Sequence, residues 1–373
     1  MVAGEASGDL LAGLLLDGAR ARWPGLTASG IGGPLMGRRG FEAWWPSDRL
    51  AVHGYSVEVL RRYRELLGIR NQMRERLLRQ RPTVFIGVDA PDFNLGLEAP
   101  LRAQGIRTVH FVCPSIWAWR ANRVDKLRAA ADHVLCIFPF EPALLARHGV
   151  PATYVGHPLA SVIPMAPDRT AARAALGLGA AERVVALLPG SRRSEIRHLA
   201  SRFFQAAAHM RRAQPAIKLI APVVPSLRAE VEQALQASDM AGQVLLLDGR
   251  SHDALAACDV TLIASGTATL EAALFKRPMV IAYHMQPLSW WLMRRQQLQP
   301  WVGLPNILSG DFVVPELLQD AATPAALASA TLAWFDAPAK MQALDQRFQA
   351  LHLELRRDTS TLCADAIQKI IES

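Results

Sequence analysis

Short, continuous apolar runs alternate with longer segments of helical periodicity along most of the chain. Continuous apolar runs are typical of strands that are buried on both faces of a parallel sheet. Such runs cover residues 84–88, 108–112, 133–136, 153–155, 183–188, 217–221, 244–247, 260–264 and 279–282. Helical patterns lie at 10–22, 64–79, 97–104, 200–214, 227–237 and 267–275. This alternation predicts an α/β protein with doubly wound parallel sheets.

A proline-containing stretch without clear periodicity, residues 157–167, separates two groups of predicted strands. It predicts two Rossmann-like domains, the first over residues 1–160 and the second over residues 161–345. The last residues, 346–373, are helical in pattern. We expect this C-terminal segment to pack back on the N-terminal domain.

Composition and charge narrow the possible classes of protein. The 373 residues are 51% apolar, which excludes a mostly disordered chain. The net charge of +8, from 41 basic and 33 acidic residues, favours anionic partners: phosphorylated substrates, an anionic membrane or nucleic acid. The four cysteines are far apart and lack metal-binding spacing, which predicts reduced thiols in the cytoplasm and no zinc site.

Two loops of small residues follow predicted strands of the second domain, and together they suit a diphosphate. Backbone amides can approach an anion where side chains are small, and an arginine can pair with a phosphate through two N–H groups. Glu271 lies one turn into the helix after the second loop, where it could accept a hydrogen bond from a ribose hydroxyl. Either loop alone could be an ordinary turn. The loop residues are Gly190, Ser191 and Arg192, then Ser265, Gly266 and Thr267.

The first domain offers polar residues at two strand ends. Asp89 comes directly off a predicted buried strand and is a candidate general base. Asp92 and Asn94 follow it, and one of them could instead cap the next helix. Trp117 and Arg120 follow the next predicted strand, where they could line a sugar or acyl site, although paired aromatic residues are more often core.

A turn of small residues near the N-terminus, residues 4–9, precedes the first predicted helix and contains Ser7 and Gly8. It could expose amides to an anion, or it could be a plain strand-to-helix turn with an aspartate cap. The pattern lacks the glycine spacing and the later acidic residue of a dinucleotide site.

One segment mixes apolar and arginine residues at helical spacing. It is either an amphipathic helix packed on its own domain or an element that lies in a membrane interface, with arginines on lipid phosphates. Residues 289–295 of the second domain have a similar composition. The candidate membrane or acyl contacts in the first segment are Val59, Leu60, Arg61, Arg62, Tyr63, Leu66 and Leu67.

Six motifs occur in a fixed order along nearly the whole chain. They are VAGEASGD at 2–9, DAPDFN at 89–94, PSIWAWR at 114–120, LPGSR at 188–192, ASGTATLE at 264–271 and LPN at 304–306. Each motif is weak alone, but the ordered set is specific. In this set the chain resembles the lipid-A-disaccharide synthase family, glycosyltransferases of Gram-negative lipid A and lipopolysaccharide biosynthesis.

The resemblance implies a GT-B fold, in which two Rossmann-like domains face a cleft, and an inverting, metal-independent hexosyltransferase without a cofactor. UDP-2,3-diacylglucosamine would donate its sugar to the 6-hydroxyl of 2,3-diacylglucosamine 1-phosphate (lipid X), giving a β-1,6-linked disaccharide 1-phosphate and UDP. The enzyme would be cytoplasmic and peripheral on the inner face of the inner membrane. The family also implies a possible homodimer through the C-terminal region.

The resemblance also assigns roles to residues. Asp89, the first aspartate of DAPDFN, would be the base, and Arg192 with the amides of both second-domain loops would hold the diphosphate. Glu271 would bind the ribose, Asn306 would lie in the cleft, and Ser7 and Gly8 would face it from the first domain. The family has a full strand before VAGEASGD, whereas only Met1 precedes that motif here, which predicts a shortened first strand.

Three alternative functions compete with this interpretation. The nearest is another GT-B enzyme that uses UDP-N-acetylglucosamine, either a lipid II-forming transferase or an epimerase. A nucleic-acid-binding protein would match the basic charge, but the arginines are spread along the chain rather than grouped, so no nucleic acid is expected. A membrane-surface module without catalysis would share the apolar, arginine-rich segment.

Overall fold

The computed structural model describes residues 1–50, 57–118 and 123–372, without the side chains of residues 5, 6, 57–63 and 288. The chain divides into two compact units, Met1–Ser161 with Glu354–Ser373 and Val162–Leu353. The sequence places these boundaries at 160/161 and 345/346, whereas the division by contacts places them at 161/162 and 353/354.

The first unit is built on a sheet of parallel strands. In the described residues these are β1 (Val2–Ala3), β2 (Ser29–Gly32), β3 (Glu42–Pro46), β4 (Val84–Val88), β5 (Arg107–Phe111), β6 (His133–Cys136) and β7 (Ala152–Tyr154). Their order is β3-β2-β1-β4-β5-β6-β7, the doubly wound arrangement that starts near the centre and grows outward on both sides. The connecting helices are α1 (Glu5–Arg22), α2 (Pro34–Gly37), α3 (Val57–Gln80), α4 (Pro91–Ala103), α5 (Arg123–Ala130), α6 (Glu141–Ala146) and α7 (Pro158–Val162).

The second unit repeats this plan. Its described strands are β8 (Val184–Leu188), β9 (Lys218–Val223), β10 (Leu245–Asp248), β11 (Val260–Ala264), β12 (Met279–Tyr283) and β13 (Glu316–Leu318), in the order β10-β9-β8-β11-β12-β13. Its helices are α8 (Arg169–Ala175), α9 (Arg193–Ala213), α10 (Arg228–Gln236), α11 (Ser251–Ala257), α12 (Ala268–Leu274), α13 (Pro287–Gln296), α14 (Leu304–Ser309) and α15 (Pro324–Leu332). Short 3-10 helices cover Ser47–Leu50, Pro225–Leu227 and Gln319–Ala321.

Two C-terminal helices, α16 (Pro338–Leu355) and α17 (Thr359–Glu372), end the chain. Helix α17 packs so closely on α1 that a Cβ atom at Gly18 would overlap the Ser360 carbonyl. Just before α17, the Leu355 carbonyl accepts a hydrogen bond of 2.9 Å from the His157 amide. These contacts join the end of the chain to the first unit.

The apolar runs predict the central strands because those strands are buried on both faces. Every residue of β8 and β11 is buried. The runs do not predict β2, β3 and β13, since β2 is half glycine and the side chains of β3 and β13 are at least partly exposed. Strand β1 has only two residues, as the short N-terminal run predicts, and both are fully buried between β2 and β4.

Among the helices that the structure describes, none combines the length and the hydropathy that a membrane-spanning segment requires.

Candidate functional site

A cavity of about 470 Å³ in the second unit lies at the carboxyl ends of its central strands. The loops after β8 and β11 line it, as the sequence predicts for a doubly wound sheet. The lining residues that the sequence singles out are Gly190, Ser191, Arg192, Ser265, Gly266, Thr267 and Glu271. Residues 222–225 after β9, together with Gly249 and Ser251 after β10, complete the walls. Sequence reasoning missed this second group, although it also follows predicted strands of the same sheet.

The first loop is held by a carboxylate from its own helix. Glu195 accepts the amides of Ser191 and Arg192 at 2.8 and 3.1 Å. Gly190 has φ 129°, and a Cβ atom there would overlap the side chain of Glu195. The Ser191 amide, expected on the diphosphate, therefore already has an internal partner. The Arg192 side chain is 80% exposed, and its Nη1 lies 3.5 Å from Glu195 Oε1.

The second loop leaves amides open. Ser265 uses its amide on the Ala282 carbonyl and its hydroxyl on the Val302 carbonyl, at 2.9 and 3.1 Å. Among the described residues, no protein acceptor is paired with the amides of Gly266 and Thr267. The amides on this loop that could still donate to a ligand are those of Gly266 and Thr267, because the Ser265 amide is used in the sheet.

Glu271 lies at the edge of the cavity beside a histidine that the sequence did not single out. His252 Nε2 lies 3.4 Å from Glu271 Oε2, and this hydrogen bond raises the pKa of His252. The pair fixes the direction of the Glu271 carboxylate while leaving it half-buried at the cavity wall.

Asn306 has a different place from the one expected. Its side chain is fully buried, donates to the Val314 carbonyl and Glu316, and accepts the amides of Val313 and Val314, all at 2.8–3.0 Å. Because every hydrogen-bonding position of the amide group is occupied, Asn306 holds the loop before β13 together instead of contacting a ligand.

In the first unit, Asp89 leaves the end of β4 in an uncommon backbone conformation. Asp89 and Ala90 have φ angles of 54° and 43°, in the left-handed region that residues with a side chain rarely adopt. The Asp89 amide donates to the Phe111 carbonyl at 2.8 Å, which extends the pairing with β5. The side chain is half-buried and carries no internal hydrogen bond among the described residues.

Asn94 supports this turn from below. Its Nδ2 donates to the Asp89 carbonyl at 2.8 Å and lies 3.4 and 3.5 Å from the carbonyls of Val88 and Val2. The residue is fully buried, so it neither caps α4 nor faces a ligand. It is a positioning residue for Asp89.

A buried acid–histidine pair lies behind Asn94. Glu98 Oε1 and His110 Nδ1 are 2.8 Å apart, both side chains are fully buried, and burial raises the pKa of Glu98. Gly87 packs directly on both Glu98 and Asn94, and a Cβ atom there would overlap the Glu98 carboxylate. Sequence reasoning missed this pair, because its two members lie on different elements.

Whole-chain comparisons decide the family. The model of the lipid-A-disaccharide synthetase family matches residues 1–370. The lipid-A-disaccharide synthase of Albidiferax ferrireducens is 70% identical over 100% of this chain and 97% of its own length. That of Verminephrobacter eiseniae is 68% identical over 100% of this chain and 96% of its own. The chain belongs to the lipid-A-disaccharide synthase family.

A solved structure supports the fold. The UDP-GlcNAc 2-epimerase of Neisseria meningitidis, bound to UDP-GlcNAc, matches with a TM-score of 0.64 and 10% identity, covering 100% of this chain and 99% of that one. At this identity the likeness concerns the fold alone. It confirms the expected GT-B fold of two α/β domains with parallel sheets, and membership of the synthase family confirms a glycosyltransferase.

The other first-unit residues of this synthase are spread around β1, β4 and β5. Ser7 is exposed and Gly8 is buried under the N-terminal turn. Asp92 is exposed and forms a 2.9 Å ion pair with Arg123. Arg120 lies outside the described residues.

Trp117 belongs to a buried aromatic cluster rather than to an open site. Its Nε1 donates to Glu141 Oε1 at 3.0 Å, and its ring packs edge-on against Phe138 and Phe140. Glu141 also accepts the Phe138 amide, and burial raises its pKa to about 7. The indole N–H of Trp117 is therefore not free to donate to a sugar or acyl group, which corrects the expected contact at this residue.

Two further groups complete the picture. Buried Asp9 accepts the amides of Gly33, Leu35 and Met36 at 2.8–3.1 Å, so the aspartate of VAGEASGD caps α2 and not its own helix.

In the apolar, arginine-rich segment, the predicted side chains of Val59, Leu60, Arg61, Arg62 and Tyr63 lie outside the described ones, and Leu66 and Leu67 on α3 are half-buried. Within the described residues, no group of three or more His, Cys, Asp or Glu side chains could hold a metal ion.

Proposed function

We propose that this synthase transfers the sugar of UDP-2,3-diacylglucosamine to the 6-hydroxyl of 2,3-diacylglucosamine 1-phosphate (lipid X). The products are the β-1,6-linked disaccharide 1-phosphate and UDP. The observation that carries the proposal is 70% identity, over the whole chain, to a lipid-A-disaccharide synthase. The ordered motifs, including the carboxylate of Asp89 and the two second-unit loops, support it.

Asp89 is the proposed base. Its carboxylate takes the proton of the acceptor 6-hydroxyl while that oxygen forms a bond to the anomeric carbon of the donor sugar. The bond between that carbon and the diphosphate oxygen breaks, and UDP leaves with the electron pair. Attack opposite the leaving group inverts the anomeric centre, which requires a fixed base on the acceptor side. The turn held by Asn94 supplies a fixed backbone for Asp89.

The cavity of the second unit is the proposed UDP site. The open amides of Gly266 and Thr267 and the guanidinium of Arg192 stabilise the negative charge that develops on the departing diphosphate. The carboxylate of Glu271, oriented by His252, accepts hydrogen bonds from the ribose. Gly190 leaves room for the Glu195 carboxylate that holds the first loop, because a side chain at this position would overlap Glu195.

Membrane contact is part of the same proposal. Both substrates carry acyl chains, so the enzyme works at the cytoplasmic face of the inner membrane as a peripheral protein. The N-terminal half of α3, with residues 59–67, supplies apolar side chains and arginines for that contact. Self-association through the C-terminal region is also proposed.

The test compares acylated with acyl-free substrates. The wild-type protein is incubated with the UDP-diacylglucosamine and lipid X pair, and in parallel with UDP-N-acetylglucosamine and N-acetylglucosamine 1-phosphate. We expect UDP release and a disaccharide 1-phosphate only from the acylated pair. Equal turnover of the acyl-free pair, or epimerisation of UDP-N-acetylglucosamine, would contradict the proposal and favour the other GT-B activities.

A further inference from the structure

The second unit exposes an apolar surface that the proposed chemistry does not use. In the described residues, four of the eight exposed large apolar side chains fall within residues 291–312. Trp291, Leu292, Leu298 and Phe312 are 48%, 48%, 55% and 59% exposed. We call these four, with Arg294 and Arg295, the α13 surface. Large apolar side chains gathered in one exposed segment indicate an interaction site.

Ring contacts tie the parts of this surface together. The Arg295 guanidinium lies 3.6 Å from the centroid of the Trp291 ring on α13. The rings of Trp301 and Phe312 lie 6.1 Å apart, which places Phe312 beside the loop that follows α13. A cationic group therefore lies directly on the apolar ring of Trp291, and Phe312 lies next to Trp301.

The charge on α13 and on the loop that follows it is of one sign. Residues 272–310 contain no Asp or Glu, whereas α13 ends with Arg294 and Arg295, both exposed. Among the described residues, neither arginine forms an ion pair with a carboxylate. Asp311, beside Phe312, is the next acid along the chain and lies 3.9 Å from Arg347. An apolar surface that carries arginines on α13 is complementary to a partner with an apolar interior and an anionic outer layer.

We propose that the α13 surface docks on an anionic lipid bilayer. Tryptophan and leucine side chains enter the interfacial region, and the two arginines lie among lipid phosphates. A second copy of the chain is a poorer partner, because a two-fold contact would bring the same cationic surface against itself. This membrane contact lies in the second unit, separate from the contact proposed on α3, and does not depend on the chemistry of Asp89.

Co-sedimentation of the full-length protein with vesicles tests the proposal. Vesicles of pure phosphatidylglycerol are compared with vesicles of pure phosphatidylcholine. We expect the wild-type protein to bind the anionic vesicles more tightly, with affinity falling as salt rises. Absence of binding to phosphatidylglycerol, or equal binding to both lipids, would overturn the proposal.

Matched substitutions locate the contact. Leu298→Ser removes a 55% exposed leucine of the α13 surface, and Leu353→Ser removes a 60% exposed leucine elsewhere in the same unit. We expect Leu298→Ser to weaken vesicle binding roughly tenfold and Leu353→Ser to leave it unchanged. Equal effects of the two changes would overturn the location.

The charge is tested in the same way. Arg294→Gln should weaken binding to phosphatidylglycerol roughly fivefold at low salt, while Arg212→Gln, at an exposed position of α9, should not. A Leu298→Ser protein that binds vesicles normally but changes its oligomeric state in solution would show that a second copy covers the surface, and would overturn the proposal.

A transfer assay in detergent micelles separates this inference from the proposed function. If the wild-type protein transfers sugar in micelles while Leu298→Ser binds vesicles like the wild type, only the membrane docking is wrong. If the wild-type protein binds vesicles through the α13 surface but transfers nothing, only the proposed reaction is wrong.

Discussion

At the scale of single residues, the strained turn at Asp89 depends on Asn94. Left-handed backbone at two successive residues with side chains persists only where the surroundings hold it. Asn94 supplies a buried amide that donates to the Asp89 carbonyl at 2.8 Å. The position of the proposed base is thus set by a neighbour that touches no substrate.

Replacing Asn94 with leucine should therefore lower kcat more than it changes the affinity for UDP. Loss of the amide donor lets the turn relax, and a base displaced by about 1 Å costs on the order of 100-fold in rate. Steady-state kinetics and UDP titration of Asn94→Leu check this, with Asn71→Leu, at an exposed position of α3, as the control. A loss of UDP binding as large as the loss of kcat would show a general structural role instead.

Glu141 should give stability a pH dependence of known sign. Burial raises its pKa from 4.5 to about 7 in the folded protein. The folded state therefore holds a proton that the unfolded state releases between these values, so stability falls as the pH rises from about 4.5 to 7. Urea unfolding of the wild type and of Glu141→Gln, at pH 5 and pH 7, isolates this contribution.

We subtract the unfolding free energy of Glu141→Gln from that of the wild type at each pH. This difference should be smaller at pH 7 than at pH 5. A difference that does not change with pH would show that Glu141 titrates normally. Comparing the two proteins removes the opposite contribution of His157, whose pKa burial lowers to about 4.

Residue types could be predicted from the sequence, but their partners could not. Asp89 was found because a carboxylate directly after a buried strand needs an explanation. Asn306 was assigned to a ligand, yet its amide is used up inside the fold. Glu195 and the Glu98–His110 pair were missed, since hydrogen bonds between distant elements leave no local pattern.

At the scale of elements, burial decided what could be predicted. The apolar runs give β4, β6 and β11 with the bounds that the structure has. They do not predict β2 and β3, because β2 is half glycine and the side chains of β3 are partly or fully exposed. Four helix starts are predicted too late, those of α1, α3, α4 and α9, whereas the predicted starts of α10 and α12 are one residue early. Helix α4 begins with Pro91 and Asp92, and this polar first turn hides the apolar period.

The packing of α1 on α17 makes a prediction at this scale. Gly18→Ala places a methyl group on the Ser360 backbone, so the two helices must separate, at a cost of about 1–3 kcal/mol. Gly68→Ala on α3, where the added methyl group would meet no other side chain or element within 4 Å, should instead stabilise the protein by about 0.5–1 kcal/mol. Denaturant unfolding of both variants, with hydrogen exchange of α17, measures the contrast. Equal effects would mean that α1 and α17 do not pack as described.

At the scale of the whole molecule, the sequence predicts two α/β domains and the comparisons confirm the GT-B fold. The number of domains can be predicted because the alternation of strands and helices is interrupted once, at residues 157–167. The sequence predicts that the last residues are helical. It does not specify on which unit residues 354–373 pack, because no local sequence pattern encodes that choice.

The binding of UDP should affect mainly one of the two units. UDP should slow hydrogen exchange around residues 190–192 and 265–267 and leave Met1–Ser161 nearly unchanged, because the proposed diphosphate donors all lie in the second unit. Arg192→Ser should weaken UDP binding roughly 10- to 100-fold. Arg193→Ser, which removes the next arginine and its ion pair with Glu230, is the control. Protection confined to the first unit would refute the assignment.

The central claim is that Asp89 is the base while the second unit holds UDP. The most direct test is single-turnover transfer by Asp89→Asn with both acylated substrates, alongside the dissociation constant for UDP and with Asp125→Asn as a surface control. The predicted result is a rate lower by about 100- to 10,000-fold, with UDP affinity within about twofold of wild type. A rate close to that of the wild type would contradict the account.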